Sequence, residues 1–583
     1  MRLIPLQMHH QLFGWVSRLG AVQRTFVGAC WLLVALELWR PCFFLTDDNL
    51  SGWLPVLVGI GHRVWSGGSL AAEPHLFGGS FNLLHDPNGL FYWNPLTFLL
   101  SPLANTRFYF LLADATAIVH ILVGATAFSY LLVCVRRWYD LTLSSNRIVF
   151  LSLSFIFSQY SLTVGASWVT FLANQAALPL LLLGMLHPRR STGFALGTVG
   201  FLYTLSMGHL SPFLFTLVFF GVFAFLWGRA QRSFEPVLRF GAALLVAGLL
   251  FSPLLFQAAR GFGATSRSAA MPLSETTHGS IAPATLVASF FGGSFGALLC
   301  AAASLQKLSN FEVYASCAGG LSTFSTWRAR SKAARQLADA RTATPALKTS
   351  VALQDIAVAM MLLVALFVMR PLWLAQLLHA LPLLRSLRWP FREIFVLLFW
   401  VHLWLALRPT HTSPRVSFAL NCVGVAAFVM SLATATIWSF APMRVDRNLV
   451  MSGQAQSYWQ KLAPRFGPKD QFIAIVDSPL SPDRFDIMPF SLLGAYNYPA
   501  LFGVQSASGY TVKGMANIQL DGRVPNHWSG TFSRADGNAL LAKYPHLKAL
   551  ELVSLEPVRI DFRQGQRREH LSLPPLNSRF PAR

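Results

Sequence analysis

Long apolar runs separated by short basic turns dominate this chain. Each run is close to the roughly 20 residues a helix needs to cross a bilayer. Hydropathy predicts about eleven spans, at 26–45, 108–135, 148–166, 168–186, 193–207, 212–227, 237–258, 311–327, 353–369, 394–407 and 416–440. The run at 311–327 is the most dilute, with Ser, Thr and Gly among its apolar positions, and 284–303 is an alternative span or re-entrant segment. Two stretches are too long to be connectors. The first, 46–107, is rich in Gly, Pro, Trp and His; the second, 441–583, carries alternating apolar runs such as 471–476 and 547–555 between turn residues. Short apolar runs bounded by turn residues are consistent with buried strands, so the tail reads as a small α/β domain.

Charge tests the count. Arg2, Arg18 and Arg24 precede the first span, and Arg136, Arg137 and Arg147 follow the second. Arg189 and Arg190 follow the fourth, and Arg229, Arg232 and Arg239 the sixth. The basic, Ala-rich linker 333–348 follows the eighth, and Arg408 and Arg415 the tenth. All lie on one side if the N-terminus, 1–25, is cytoplasmic, which is the positive-inside pattern. Topology therefore supports the dilute eighth span. An odd number of spans then puts the tail outside, on the same side as loop 46–107.

Composition agrees. Hydrophobic residues make up 54% of the chain and charged residues 12%, about half the charged share of a soluble domain. The net charge of +22 is spread over the short loops rather than gathered in a patch, so nucleic-acid binding is excluded. The six cysteines lie in or beside apolar runs without a C-x-x-C pair, which argues against a disulfide framework or a zinc site. Residues 1–24 are polar and basic, and no cleavable signal peptide is evident.

Chemistry concentrates at Asp47 and Asp48, directly after the first span. Carboxylates are costly at a bilayer edge unless water, a metal or a substrate uses them. The pair reads as a general base, Asp48 ahead of Asp47, or as helix caps, a role Asp favours. Whether a divalent cation takes part is open at this stage; Asp47 and Asp48 would be its ligands. Arg385, Arg388 and Arg392 flank Trp389-Pro390 at the outer mouth of the tenth span, against the positive-inside trend. Guanidinium groups bind phosphate bidentately, so these three are phosphate ligands or headgroup anchors. Glu73, His85, Asp86 and His209 are weaker candidates. His85-Asp86-Pro87 reads more readily as a turn, and His209 as a loop histidine. Glu37 and Arg40 read as an ion pair, and Asp114 and Asn174-Gln175 as cavity liners or interhelical hydrogen-bonders. Asn49-Leu-Ser51 fits a glycosylation sequon by chance.

Several segments carry a resemblance. Asp48 with Trp53-Leu-Pro55, Phe77-Gly-Gly-Ser-Phe-Asn82, Tyr92-Trp-Asn-Pro95 and Leu100-Ser-Pro102 resembles the first outer loop of the YfhO-like bacterial membrane proteins. Met207-Gly-His-Leu210 is similar to that family's outer turn after the fifth helix. Arg388-Trp-Pro-Phe-Arg392 is similar to its Arg-x-Pro-x-Arg stretch, and Tyr498 to Tyr510 to its tail motif, in which Gly509 would allow a tight turn. The likeness spans nearly the whole chain. It departs where the family has Gln and Tyr after the loop Asp, since Gly52 and Trp53 stand there.

The resemblance implies the glycosyltransferase C (GT-C) superfold: an all-α polytopic membrane bundle, 26–440, with a large first outer loop and a small C-terminal α/β extracytoplasmic domain. It also implies an enzyme of the bacterial inner membrane that moves a sugar from a polyprenyl-phosphate carrier to an acceptor outside the cytoplasm, with inversion. Membrane lipid would surround it, and Arg388 and Arg392 match the family positions. A transporter or lipid flippase, or a non-catalytic envelope assembly protein, are the rival readings. A transporter predicts paired broken helices and internal symmetry, and the sequence shows no internal repeat.

Overall fold

The computed structural model describes residues 19–68, 72–73, 81–82, 94–262, 272–277, 279–283, 286, 345–381, 384, 390–407, 422, 425–426, 428–429, 432–433, 435, 444–476, 488–507, 530–555 and 557–574. Most of them are helical. The bundle is built from α1 (Ala21–Trp39), α2 (Leu54–Ser66), α3 (Leu111–Trp138), α4 (Ser145–Ile156), α5 (Gln159–Ser167), α6 (Val169–Leu186), α7 (Arg190–Met207), α8 (Leu210–Ala230), α9 (Glu235–Leu250), α10 (Ser252–Phe262), α11 (Pro345–Met369), α12 (Leu372–Ala380) and α13 (Ile394–Leu407). Among the described residues seven helices are long and apolar enough to cross a membrane, or up to eight if α9 and α10, bent by 72°, count as one broken span. Nine of the expected spans fall on described helices; 311–327 and most of 416–440 lie outside the described residues.

The first span is shifted from its expected place. The apolar run continues to Leu45, but the helix stops at Trp39. The Glu37 carboxylate accepts from the backbone N–H of Cys42 at 2.7 Å and of Phe43 at 3.2 Å, folding 40–46 back as a loop that is buried from Cys42 to Thr46. Helices α6 and α13 are almost wholly buried and form the centre, whereas α1 and α11 turn most of their surface outward. Their exposed faces carry Trp31, Leu38, Trp39 and Leu362, side chains suited to lipid contact. The core includes an aromatic cluster in which Phe128 lies 4.7 Å from Phe155 and 5.7 Å from Phe399. Helices α6 and α7 lie close together at Gly184, where an added Cβ would stand 2.7 Å from the Gly197 Cα. Small residues permit that kind of contact between membrane helices.

The basic turns meet at one end of the bundle. Arg24 donates to Asn146 at 2.9 Å, Arg147 reaches the Leu405 carbonyl at 2.5 Å, and Arg190 pairs with Glu235 at 2.8 Å. Gln354 reaches the Leu407 carbonyl at that same end. The opposite end gathers Asp47, Trp168, His209 and Pro390, together with Gly279 and Ile281, whose backbones bond to Phe391 and Val368. The chain therefore stands at opposite ends before and after each of the two expected spans that lie outside the described residues.

The tail adds α14 (Arg444–Met451), α15 (Gln454–Leu462), α16 (Arg534–Lys543) and a five-stranded sheet. After the two-residue strands β1 (Ala72–Glu73) and β2 (Phe81–Asn82) of the first loop, its strands are β3 (Gln471–Val476), β4 (Thr531–Phe532), β5 (Leu547–Leu555), β6 (Val558–Gln564) and β7 (Arg567–His570), in the order β4-β3-β5-β6-β7. β3 runs parallel to β4 and β5, while β5, β6 and β7 are antiparallel. Both expected strands, 471–476 and 547–555, are present. Side chains alternate between two faces: Ile473, Ile475 and Ala549 pack on α16, whereas Phe472, Ala474 and Leu550 share a core with Leu50, Leu54, Val58 and Tyr109. That second core joins the tail to the first loop.

Candidate active site

The carboxylate pair is held in place by its neighbours on the returning loop. Phe44 N–H donates to Asp114 at 2.9 Å, and the Arg447 guanidinium donates to the Pro41 carbonyl. Glu37 and Asp114 thus brace this loop. Asn49 fixes the next turn. Its amide donates to the carbonyls of Phe44, Gly165 and Ala166, each at 2.8 Å, and its oxygen accepts from Val169 N–H at 2.9 Å. Asn49 is fully buried with both ends of its amide engaged, so the sequon has no acceptor to offer a glycan.

Asp47 takes a left-handed backbone with φ 47°, uncommon for a residue with a Cβ. Its carbonyl accepts from the Ser51 hydroxyl at 2.8 Å. Asp48 opens a π-helical turn, Asn49–Trp53, but its side chain caps no backbone N–H of that turn. The capping role weighed from sequence is not what Asp48 does. Its carboxylate instead accepts from the indole N–H of Trp168 at 2.5 Å.

Both aspartates are half-buried residues, so protein replaces much of the water around them. Burial, reinforced by the adjacent Asp48 charge, pushes Asp47 up to about 8; a hydrogen bond from Ser167 opposes the shift.

Trp168 occupies the break between α5 and α6, with non-helical backbone angles of φ −137° and ψ 82°. The opposite face of the site comes from a 3-10 turn, Pro390–Glu393, at the start of α13. There the Arg392 guanidinium lies 4.7 Å from the Trp168 ring centroid and 5.3 Å from that of Phe171. Its backbone carbonyl accepts from the Tyr160 hydroxyl at 2.8 Å, which fixes the turn. One indole therefore touches a carboxylate through its N–H and a guanidinium through its face.

His209 borders the same aromatic group, with its ring 5.2 Å from Phe171. It caps α8: its Nδ1 accepts from Ser211 N–H at 3.1 Å, and its backbone N–H donates to the Asn174 side-chain oxygen at 2.7 Å. Asn174 also donates to Thr204 at 2.6 Å, and Gln175 to the Phe155 carbonyl at 3.1 Å, so this polar pair bonds between helices. The preceding Gly208 is needed here, because an added Cβ would stand 2.7 Å from the Asn174 amide nitrogen and closer still to the Thr204 carbonyl.

The tail contributes Tyr496, also left-handed at φ 57° and buried. Burial and the charges of Asp47, Asp48 and Asp446 hold its hydroxyl well above the usual range, so it stays protonated beside the carboxylates. The next residue, Asn497, reaches the Gly52 carbonyl at 3.4 Å.

Of the expected site residues, the structure gathers Asp47, Asp48 and Arg392 around Trp168, with His209 one ring away. Arg385, Arg388, His85 and Asp86 lie outside the described residues, as does Gly509. Glu73 pairs with Phe81 in the small β1–β2 ladder, and its side chain lies outside the description. Trp168 and Tyr496 escaped the sequence reading. Among the described residues no group of three or more His, Cys, Asp and Glu side chains could hold a metal ion.

No family model and no curated protein matches the chain. Among solved structures, the arabinofuranosyltransferase AftD from mycobacteria overlaps it with a TM-score of 0.47 at 14% identity, over 85% of this chain and 32% of that one. ArnT from Cupriavidus metallidurans, bound to undecaprenyl phosphate, overlaps with a TM-score of 0.47 at 12% identity, over 91% of this chain and 94% of that one. The chain spans about a third of the length of AftD. Overlaps at this level assign no activity.

Proposed function

We propose that this chain is an integral membrane glycosyltransferase of the GT-C superfold, transferring a sugar from a polyprenyl-phosphate donor to a hydroxyl acceptor outside the cytoplasm. The observation that carries the reading is the shared indole: Trp168 places the Asp48 carboxylate and the Arg392 guanidinium about one ring apart. A transfer of this kind needs a base for the acceptor and a cation for the leaving phosphate.

Asp48 takes the acceptor hydroxyl proton as that oxygen bonds to the anomeric carbon. The bond from that carbon to the phosphate oxygen breaks, its electron pair leaves with the polyprenyl phosphate, and Arg392 holds the resulting charge. Attack opposite the leaving group inverts the anomeric centre. Asp47, pushed up to about 8, keeps its proton at neutral pH and spares the site a second negative charge. Its protonated carboxyl and the Tyr496 hydroxyl are hydrogen-bond donors beside Asp48. The bacterial inner membrane is the proposed location, with the N-terminus cytoplasmic and the first loop and tail outside.

The test is envelope glycan composition in a deletion strain complemented with wild type or Asp48→Asn. Loss of a sugar modification that only wild type restores supports the transferase. Full complementation by Asp48→Asn removes catalysis from this site.

A further inference from the structure

A groove of about 360 Å³ opens between the first loop and the tail, away from the carboxylates. Its volume falls in the range of roughly 300–1,000 Å³ typical of small-molecule sites. Three parts of the chain line it: His62 on α2, Arg107 and Tyr109 before α3, and Gln456, Gln460 and Phe502 from the tail. Gln456 and Gln460 stand one turn apart on α15, the spacing that puts two side chains on one helix face. Among the described residues neither amide has a hydrogen-bond partner, and nor does the Tyr109 hydroxyl. Burial pushes Tyr109 up to about 12, so it remains a donor at neutral pH. The Phe502 ring is stacked on Trp459, 5.7 Å away with planes 5° apart, and is held rigidly at the groove wall. Arg107 rests over Phe108 at 4.7 Å, and no carboxylate lines the groove among the described residues.

We propose that this groove is a saccharide subsite that holds the acceptor glycan of the transfer reaction. Primary amides both donate and accept, as sugar hydroxyls do, and a flat aromatic ring suits the C–H face of a pyranose or furanose. An apolar tail would leave the two amides unpaired, and a cation would find no acid. Position supports the assignment. α2 continues directly from the turn that Asp48 opens, and the stretch from Asp48 to His62 covers on the order of 20 Å at helical rise. A glycan several sugars long, anchored in the groove, reaches the carboxylates along α2.

This inference rests on the transferase reading, and binding separates the two. Full-length protein in nanodiscs is titrated with neutral tetrasaccharides of gluco, manno, galacto and arabino configuration, using saturation-transfer NMR. At least one is expected to bind wild type and Asp48→Asn alike, and at least tenfold more weakly to the double variant Gln456→Ala/Gln460→Ala. Gln460→Ala alone, at an exposed position, serves if the double variant unfolds. The proposal is overturned if no tetrasaccharide binds wild type, or if the groove variants bind as wild type does. If binding behaves as expected while Asp48→Asn restores the envelope glycan, the transferase reading falls and the groove stands as a glycan-binding site.

Discussion

The Trp168 indole N–H donates to Asp48 at 2.5 Å across a sequence separation of 120 residues. That bond joins the first loop to the break between two central helices. It also sets the direction in which the carboxylate points. Trp168→Phe keeps an aromatic face for Arg392 and removes only the donor. A hydrogen bond to a charged group contributes about 1.5–3 kcal/mol, so transfer should fall about 10- to 100-fold. The same bond also ties the first loop to the bundle, so the purified variant should unfold a few degrees earlier, and turnover is compared well below that temperature. Wild-type turnover in Trp168→Phe would show that the bond does not orient the base.

Asp47 makes stability depend on pH in a definite direction. Its folded value is about 8, against an ordinary value of 3.8. Below pH 3.8 both folded and unfolded forms carry the proton, and Asp47 costs nothing. Between 3.8 and 8 the unfolded chain releases a proton that the folded chain keeps, so stability falls as pH rises. Above 8 the loss is complete and constant. Asp47→Asn cannot titrate. Its unfolding temperature relative to wild type should therefore climb steadily from pH 4.5 to pH 8.5 and then level off. Parallel curves for the two proteins would mean that Asp47 ionises in the native state as freely as in the unfolded one.

Arg392 is buried between two rings, where a guanidinium packs flat and an ammonium does not. Arg392→Ala should raise the KM for a polyprenyl-phosphate sugar by about 100-fold, in keeping with loss of a charge-assisted phosphate contact of about 2–3 kcal/mol. Arg392→Lys should recover part of that, ending about tenfold above wild type. Steady-state kinetics with varied donor separates this from a folding defect, because a misfolded fraction lowers apparent kcat and leaves KM alone. If Arg392→Ala leaves both KM and the kcat per folded molecule unchanged, the residue belongs to packing.

How much of this was legible in the sequence differs from residue to residue. Asp48 stood out because a carboxylate at a bilayer edge is expensive, and Arg392 because an outer-face arginine runs against the positive-inside trend. Trp168 did not, since tryptophan at a membrane boundary is ordinary, and only the α5–α6 break turns it toward Asp48. Tyr496 sits two residues before the tail motif and acquires its place from the docking of the tail on the first loop, which no local pattern encodes. The end of the first span was misread for a specific reason. Cys42-Phe-Phe-Leu45 is as apolar as the helix before it, and hydropathy cannot register that Glu37 terminates the helix by accepting two backbone N–H groups. Strands β3 and β5 were readable as short apolar runs between turn residues, the pattern of strands covered on both faces, here by the first loop and α16.

Asn49 should be the most sensitive structural residue of the site. Its amide satisfies three carbonyls and one N–H drawn from the first loop, α5 and the start of α6. Asn49→Ala strands the Phe44 and Gly165 carbonyls and the Val169 N–H in a buried setting, where a lost partner costs about 1–3 kcal/mol, while the Ala166 carbonyl keeps the Thr46 hydroxyl at 3.0 Å. Asn49→Asp keeps the acceptor for Val169 and replaces the donor with a buried carboxylate facing three carbonyls. It should therefore be worse than Ala, the reverse of the order expected at an exposed position. Both substitutions should also lower transfer, because Asn49 follows Asp48 directly and sets the backbone that aims it. Unfolding temperatures in detergent give the order. If Asn49→Asp is the more stable of the two, the amide is not donating to those carbonyls, and the loop must be held against α5 and α6 by its apolar contacts.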